Sequence, residues 1–149
     1  MPGVPTMPYT YDFPRPSVAV DTIVLSGAAP PRVLLIRRRG EPFAGAWALP
    51  GGYVNQGECL DIAARRELEE ATGLRVDTVK QFLTVGDPGR DPRGWTVSVV
   101  HVARVGDPPP EVKAGDDAAD ARWFPIDQLP RLAFDHEAIL KRWHAEQRK

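Results

Sequence analysis

Apolar residues along this chain fall mostly into short strand-like runs, and only the segments near residues 59–72 and 137–146 carry the wider spacing of a helix. Ser17–Leu25 (SVAVDTIVL) is rich in β-branched residues and reads as a strand. A turn follows at Gly27–Pro31, then a second strand at Arg32–Arg37 (RVLLIR), whose near-continuous apolar centre predicts burial on both faces. Ala46–Leu49 is a short strand entering a Pro50-Gly51-Gly52 turn. In residues 59–72, Leu60, Ala64, Leu68 and Ala71 recur every three or four positions, one apolar stripe along a helix. Gly73 stands where a left-handed residue ends such a helix. Val76–Val85 and Trp95–Val105 read as strands joined by a loop, GDPGRDPRG, that is long for a hairpin connection. Ala121–Phe124 is a last short strand, and Asp135 is placed to N-cap a final helix, Glu137–Glu146. The order predicts a mixed sheet with one central and one C-terminal helix, an α+β (α/β/α sandwich) fold over residues 17–149. Residues 1–16 are rich in proline and aromatics and read as an extended arm. Its Tyr9, Tyr11 and Phe13 either pack on a partner subunit or belong to a partly disordered leader.

Composition narrows the function classes. The 149 residues suit one domain with one core, and 42% hydrophobic and 26% charged residues are ordinary for a globular protein. A net charge of −1 supplies no general attraction to nucleic acid or anionic lipid, so neither is expected as a partner. Any phosphate must be held by a local site. Cys59 is the single cysteine, which excludes an intrachain disulfide and a cysteine metal cluster. No apolar run is long enough to span a bilayer and no secretory leader is visible, so a cytoplasmic setting is expected.

The chemistry concentrates around the first helix. Glu67 and Glu70 are three apart and share one side of it, forming an acidic edge beside the apolar stripe. Two close carboxylates repel, and a divalent cation relieves that repulsion. Oxygen ligands without nearby His or Cys favour Mg²⁺ or Mn²⁺ over Zn²⁺. A bare E-x-x-E is as readily a solvated acidic face; the surrounding register decides otherwise.

That register is Gly52, five residues, Glu58, seven residues, then Arg66-Glu67-Leu68-Glu69-Glu70-Ala71-Thr72-Gly73-Leu74. It resembles the Nudix box, G-x5-E-x7-R-E-U-x-E-E-x-G-U, at every fixed position but one: Ala71 replaces the second glutamate of the E-E pair. The resemblance implies a phosphate–metal site. Glu67 and Glu70 would bind the metal, Arg66 would pair with Glu58 to brace the loop-helix-loop, and the Gly51-Gly52 turn would let the backbone approach phosphates. Glu69 lies on the far side of the helix and is expected to face solvent. Nudix enzymes often take a further ligand or general base from the loop ahead of the terminal strand; Asp117 in AGDDAADARWFP fits best, with Asp116 and Asp120 behind it.

Other residues carry open alternatives. Alternation sends Arg37 and Arg39 to one face and Arg38 to the other. One of these arginines clamps a phosphate, or they cap a solvated strand end. Trp47 stacks on a base or, as preferred here, belongs to the core. Arg90 in the long loop contacts a ribose phosphate or sits in a mobile connection. His101 and His136 have no partner at metal spacing and receive no role, and His144 is expected on the exposed side of the last helix.

The flanking segments PRPSVAVD, EPFAGAWALPGGYV and GDDAADARWFP are similar to those of bacterial ADP-ribose pyrophosphatase-type Nudix proteins, and Pro88 lies near the proline described for that group. The resemblance implies cleavage of ADP-ribose to AMP and ribose 5-phosphate by metal-activated water, in a homodimer. The alternative is a catalytically weak or inactive Nudix domain that binds ADP-ribose or another NAD metabolite, as the break at Ala71 would allow.

Overall fold

The structure, a computed structural model, describes residues 9–147. Its strands are β1 (Ser17–Ser26), β2 (Arg32–Arg38), β3 (Trp47–Ala48), β4 (Gly51–Tyr53), β5 (Lys80–Val85), β6 (Thr96–Val105) and β7 (Ala118–Pro125). Its helices are α1 (Leu60–Thr72), between β4 and β5, and α2 (His136–Glu146), after β7. The seven strands form one mixed sheet.

β1 organises that sheet. One edge runs parallel to β6 for its whole length, from Ser17 beside Thr96 to Ser26 beside Val105. The other edge is divided. Its first half pairs antiparallel with β4 at Ala19–Asp21, and its end pairs antiparallel with β2 at Leu25 and Ser26. β2 turns away to pair with β7 and β3. The gap between β2 and β4 is the mouth of a cleft.

The pleat of β1 sorts the core into two layers. Val20 and Val24 face α1, meeting Ala63, Ala64 and Leu68. Ile23 and Leu25 face α2, meeting Ile139, Leu140 and Trp143. Val33, Leu34 and Leu35 of β2 are all fully buried, as a strand covered on both faces requires. Burying each such side chain contributes about 1.5–3 kcal/mol, so the sandwich rests mainly on these apolar layers.

Element limits differ from the sequence reading where tertiary contacts intervene. β5 starts at Lys80 rather than Val76, because Val76 and Val79 pack against the α1-facing clusters. β7 starts at Ala118 rather than Ala121, because β2 offers it partners as far as Arg38. Gly51 and Gly52 are strand residues bonded to β1, not a simple turn. Gly73 does end α1 in the left-handed conformation, φ 74°, its N–H donating to the Glu69 carbonyl. Asp135 does not cap α2 with its side chain, and the helix begins one residue early at His136; the carboxylate is engaged by Arg90 instead. The first eight residues of the arm lie outside the described residues. Beyond them, the Tyr9 hydroxyl donates to Gln56, Arg15 lies 3.6 Å from the Tyr11 ring centre, and Tyr9, Tyr11 and Phe13 are exposed. Among the described residues no helix is long and apolar enough to cross a membrane.

Candidate active site

Arg66 ties the loop before α1 to the helix itself. Its Nε donates to Glu58 Oε2 at 2.6 Å and its Nη2 to Glu58 Oε1 at 2.9 Å. Nη2 also reaches the Tyr53 carbonyl, while Nη1 donates to Glu67 Oε1 at 2.8 Å and Glu70 Oε2 at 3.1 Å. Glu58 in turn accepts the Asn55 N–H at 3.0 Å, which closes the loop. The hydrogen bonds from Arg66 hold the Glu58 carboxyl below its ordinary range. The same bonds make the guanidinium harder to deprotonate. Burial pushes the half-buried Glu67 carboxyl up against the opposing pull of Arg66, and the charges of Glu70 and Asp116 push it further the same way.

Three glycines permit this crowding. A Cβ at Gly52 would come within 2.5 Å of the Glu67 carboxyl carbon. One at Gly51, on the opposite face of β4, would overlap Asp21 Oδ1 and the Val20 carbonyl. One at Gly115 would overlap the Glu70 carbonyl oxygen. Gly115 lets the loop before β7 dock on the end of α1, with Lys113 N–H bonded to the Thr72 carbonyl and Gly115 N–H to that of Ala71. Asp116 and Asp117 are thereby brought to the same cleft as Glu67, Glu70 and Ala71. The cleft has a volume of about 750 Å³. Asp120 is held elsewhere, paired with Arg122 at 2.7 Å and outside the lining. Glu69 is exposed and paired with Arg75, as its helical angle requires.

The arginines fall differently from strict alternation. The β2–β7 register shifts between Arg37 and Arg38, which brings Arg38 and Arg39 to the cleft and leaves Arg37 outside it. Arg37 donates from Nε to the Gly45 carbonyl, whereas Arg38 Nε donates to that of Pro42 at 2.7 Å and Arg39 Nη2 to that of Ala118 at 3.3 Å. Trp47 packs edge-on against Phe124, ring centres 4.8 Å apart, on the core side. Arg90 does reach the cleft wall, but its fork is bidentate to Asp135 at 2.9 and 2.6 Å with the side chain 6% exposed. With Asp91 also paired to Arg93, residues 86–94 are a braced wall and not a free connection.

Several lining residues received no role from the sequence. Asp21 and His136 form the cleft floor, with Asp91, Arg93 and Phe134 beside them. His136 is buried, and its Nδ1 accepts the Leu49 N–H at 3.0 Å. Its Nε2 is 3.7 Å from Asp21 Oδ2, the oxygen that also accepts the Ser98 hydroxyl. A charged residue amid the apolar run of β1 was the available signal for Asp21. Nothing in local spacing marks His136, whose partners are 87 and 115 positions away in sequence.

The acidic end of the cleft fits a hard divalent cation. Its donors are carboxylate oxygens, burial and, to a lesser degree, the neighbouring acids raise Glu67, and Gly52 leaves the approach open. No group of three or more His, Cys, Asp or Glu side chains is gathered at ligating distance among the described residues. The protein therefore offers few ligands, as suits an ion that retains waters and takes phosphate oxygens.

Known proteins resemble this chain in sequence and fold. The NUDIX domain model matches residues 15–146. An ADP-ribose pyrophosphatase of Methanocaldococcus jannaschii is 47% identical over 133 residues, 87% of this chain and 75% of the relative. The ADPR responsive transcriptional repressor NtrR of Acinetobacter baylyi is 34% identical, and the chain spans 54% of its length. Among solved structures, the NUDIX domain of Shewanella oneidensis NrtR complexed with ADP ribose superposes with a TM-score of 0.83 at 29% identity, covering 92% of this chain and 94% of that one. A bifunctional NMN adenylyltransferase/ADP ribose pyrophosphatase from Francisella tularensis, complexed with AMP and a Mn ion, gives 0.78 at 29% identity over 91% of this chain and 43% of that one. With the box in register on α1, Arg66 bracing Glu58, and the family model covering nearly all of the chain, this protein belongs to the Nudix family.

Proposed function

We propose that the protein is a metal-dependent hydrolase of a nucleoside diphosphate joined to a second moiety, with ADP-ribose, split to AMP and ribose 5-phosphate, as its substrate. The observation that carries this is that Glu67, Glu70, Asp116 and Asp117 all line one cleft. The 47% identity to an ADP-ribose pyrophosphatase supports the choice of substrate. Mg²⁺ or Mn²⁺ held by Glu67 and Glu70, with Asp117 as the further acid, would neutralise phosphate oxygens and lower the pKa of a bound water.

The chain's own residues do the rest. The Gly51–Gly52 edge lets the diphosphate lie against backbone, and Arg39, at the cleft rim, faces its oxygens. Arg66 touches no substrate; it positions Glu67 and Glu70. As water oxygen bonds to one phosphorus and the bridging P–O bond breaks, Asp117 accepts the proton and the released phosphate carries away the bond's electron pair. The exposed Tyr9, Tyr11 and Phe13 are the surface proposed for a homodimer.

Ala71 favours a second reading. It lines the cleft one helical turn after Glu67 without a carboxylate, so the same fold could bind ADP-ribose without cutting it, in keeping with its likeness to the repressor. AMP release from ADP-ribose, followed with Mg²⁺ and with Mn²⁺, separates the two. Turnover with either metal supports the hydrolase. Calorimetric binding without turnover supports the binder. Neither binding nor turnover removes ADP-ribose from both readings.

A further inference from the structure

The floor of the cleft carries a donor and an acceptor that the catalytic chemistry leaves unused. Because His136 Nδ1 accepts the Leu49 N–H, the neutral ring must carry its proton on Nε2. That N–H has no acceptor within hydrogen-bond distance among the described residues, since Asp21 Oδ2 is 3.7 Å away. Asp21 Oδ2 already accepts from Ser98, while Oδ1, against Gly51, accepts no hydrogen bond from the described residues. The His136 side chain is 4% exposed and that of Asp21 12%, and both line the cleft. Both groups open on the cleft, so a ligand there can supply an acceptor to the one and a donor to the other.

Position and charge indicate what that ligand group is. A Cβ on Gly51 would meet Asp21 and one on the next residue, Gly52, would meet Glu67, so this floor and the acidic edge of α1 flank adjacent residues of β4 from its two faces. A group reaching from one to the other is bonded directly to the diphosphate, which in a nucleotide is a pentose; a base lies one sugar ring further out. The surrounding charges cancel in pairs, Arg90 with Asp135 and Arg93 with Asp91, while Asp21 offsets Arg38. A further phosphate beside Asp21 would meet a largely buried carboxylate.

We propose that Asp21 and His136 form a hydroxyl-reading floor, which binds the diol of a pentose attached directly to the diphosphate and rejects a phosphate group in the same place. Asp21 Oδ1 accepts one hydroxyl and His136 Nε2 donates to the other. Ser98 and Leu49 act as positioning residues, fixing the carboxylate and the ring tautomer. The inference rests on the proposed diphosphate substrate and selects among the molecules that such a site admits.

The test is a binding series with Mg²⁺ and methylene-bridged ADP-ribose, which is not cleaved, so the readout does not depend on turnover. One analogue lacks the hydroxyls of the adenosine ribose, a second lacks those of the terminal ribose, and ATP carries phosphate in place of the second sugar. The expected result is at least tenfold weaker calorimetric binding for one deoxy analogue, which identifies the sugar read, and for ATP. Asp21→Asn and His136→Gln, each checked by circular dichroism and melting, should bring the parent and that analogue within threefold of each other. If either substitution unfolds the protein, Ser98→Ala replaces it, with a partial loss of discrimination expected. Parent binding with under twofold discrimination against both analogues would overturn the inference while leaving the diphosphate reading intact. Discrimination that persists in the folded variants overturns it too. Failure of the parent itself to bind overturns the reading beneath it.

Discussion

Arg66 and Glu58 face each other through two parallel hydrogen bonds, of 2.6 and 2.9 Å, across the loop that leads into α1. The same guanidinium also bonds to Glu67 and Glu70, so it both closes the loop and aims the acids. Arg66→Lys keeps the charge but cannot form the fork. We expect it to lower stability by about 1.5–3 kcal/mol, the range for hydrogen bonds to charged groups, and to reduce turnover at least tenfold. Thermal melting and steady-state kinetics check both. Unchanged kcat in a folded Arg66→Lys protein would show that Arg66 does not position the glutamates.

Gly52→Ala tests the approach between β4 and α1. A methyl group there would lie 2.5 Å from the Glu67 carboxyl carbon, so the carboxylate must swing away. Turnover should fall by more than a hundredfold while far-UV circular dichroism stays native, because β4 is short and lies at the cleft rim. Gly51→Ala meets the Val20 carbonyl as well as Asp21, so it should strain the β1–β4 pairing and lower the melting temperature more than Gly52→Ala does.

Ala71→Glu supplies the carboxylate that the box lacks, on a face that already lines the cleft. The metal concentration for half-maximal activity should fall at least tenfold. No change would mean that another acid already completes the site. Asp117→Asn should then cost far more activity than Asp120→Asn, whose carboxylate is committed to Arg122 outside the cleft.

Acid should weaken the fold in two stages. Burial pushes the His136 pKa down, so the unfolded chain takes up a proton at higher pH than the folded one. Stability is therefore full above about pH 6.5, the ordinary histidine value, and declines as pH falls below it. Asp91 and Asp135 add a second decline below about pH 4, since both carboxyls are held low in the folded state: Asp91 by hydrogen bonds from Arg93, and Asp135 by those from Arg90, which outweigh its burial. Urea melts at pH 7.5, 5.5 and 4 should show both stages, and His136→Gln should reduce the first without removing it, because burial lowers the His101 pKa as well, and should leave the second unchanged.

What local pattern encodes was legible in the sequence. The stripe on α1, its end at Gly73, the exposure of Glu69 and the pairing of Arg66 with Glu58 all follow from spacing within one helix and its preceding loop, or from the box they resemble. Residues whose place depends on distant partners were not legible. Arg90 read as a ligand-facing loop residue until Asp135, 45 positions away, engaged it. Asp135 read as a cap for the same reason. A shift of register against β7 put Arg38 and not Arg37 on the cleft, which no alternation rule within β2 alone foretells. Asp21 and His136 meet only because β1 and α2 pack together.

The divided edge of β1 sets how this architecture can diversify. The acidic helix hangs from β4 at one half of that edge, while the opposite wall hangs from β2 at the other. Between them, residues 39–45 are a largely exposed connection ahead of β3 that forms no ladder with β1. Insertions or deletions there would reshape the entrance without moving Glu67 or Glu70. Substrate range and hydrolytic machinery are thus separable by lineage: one can drift under selection while the other stays fixed.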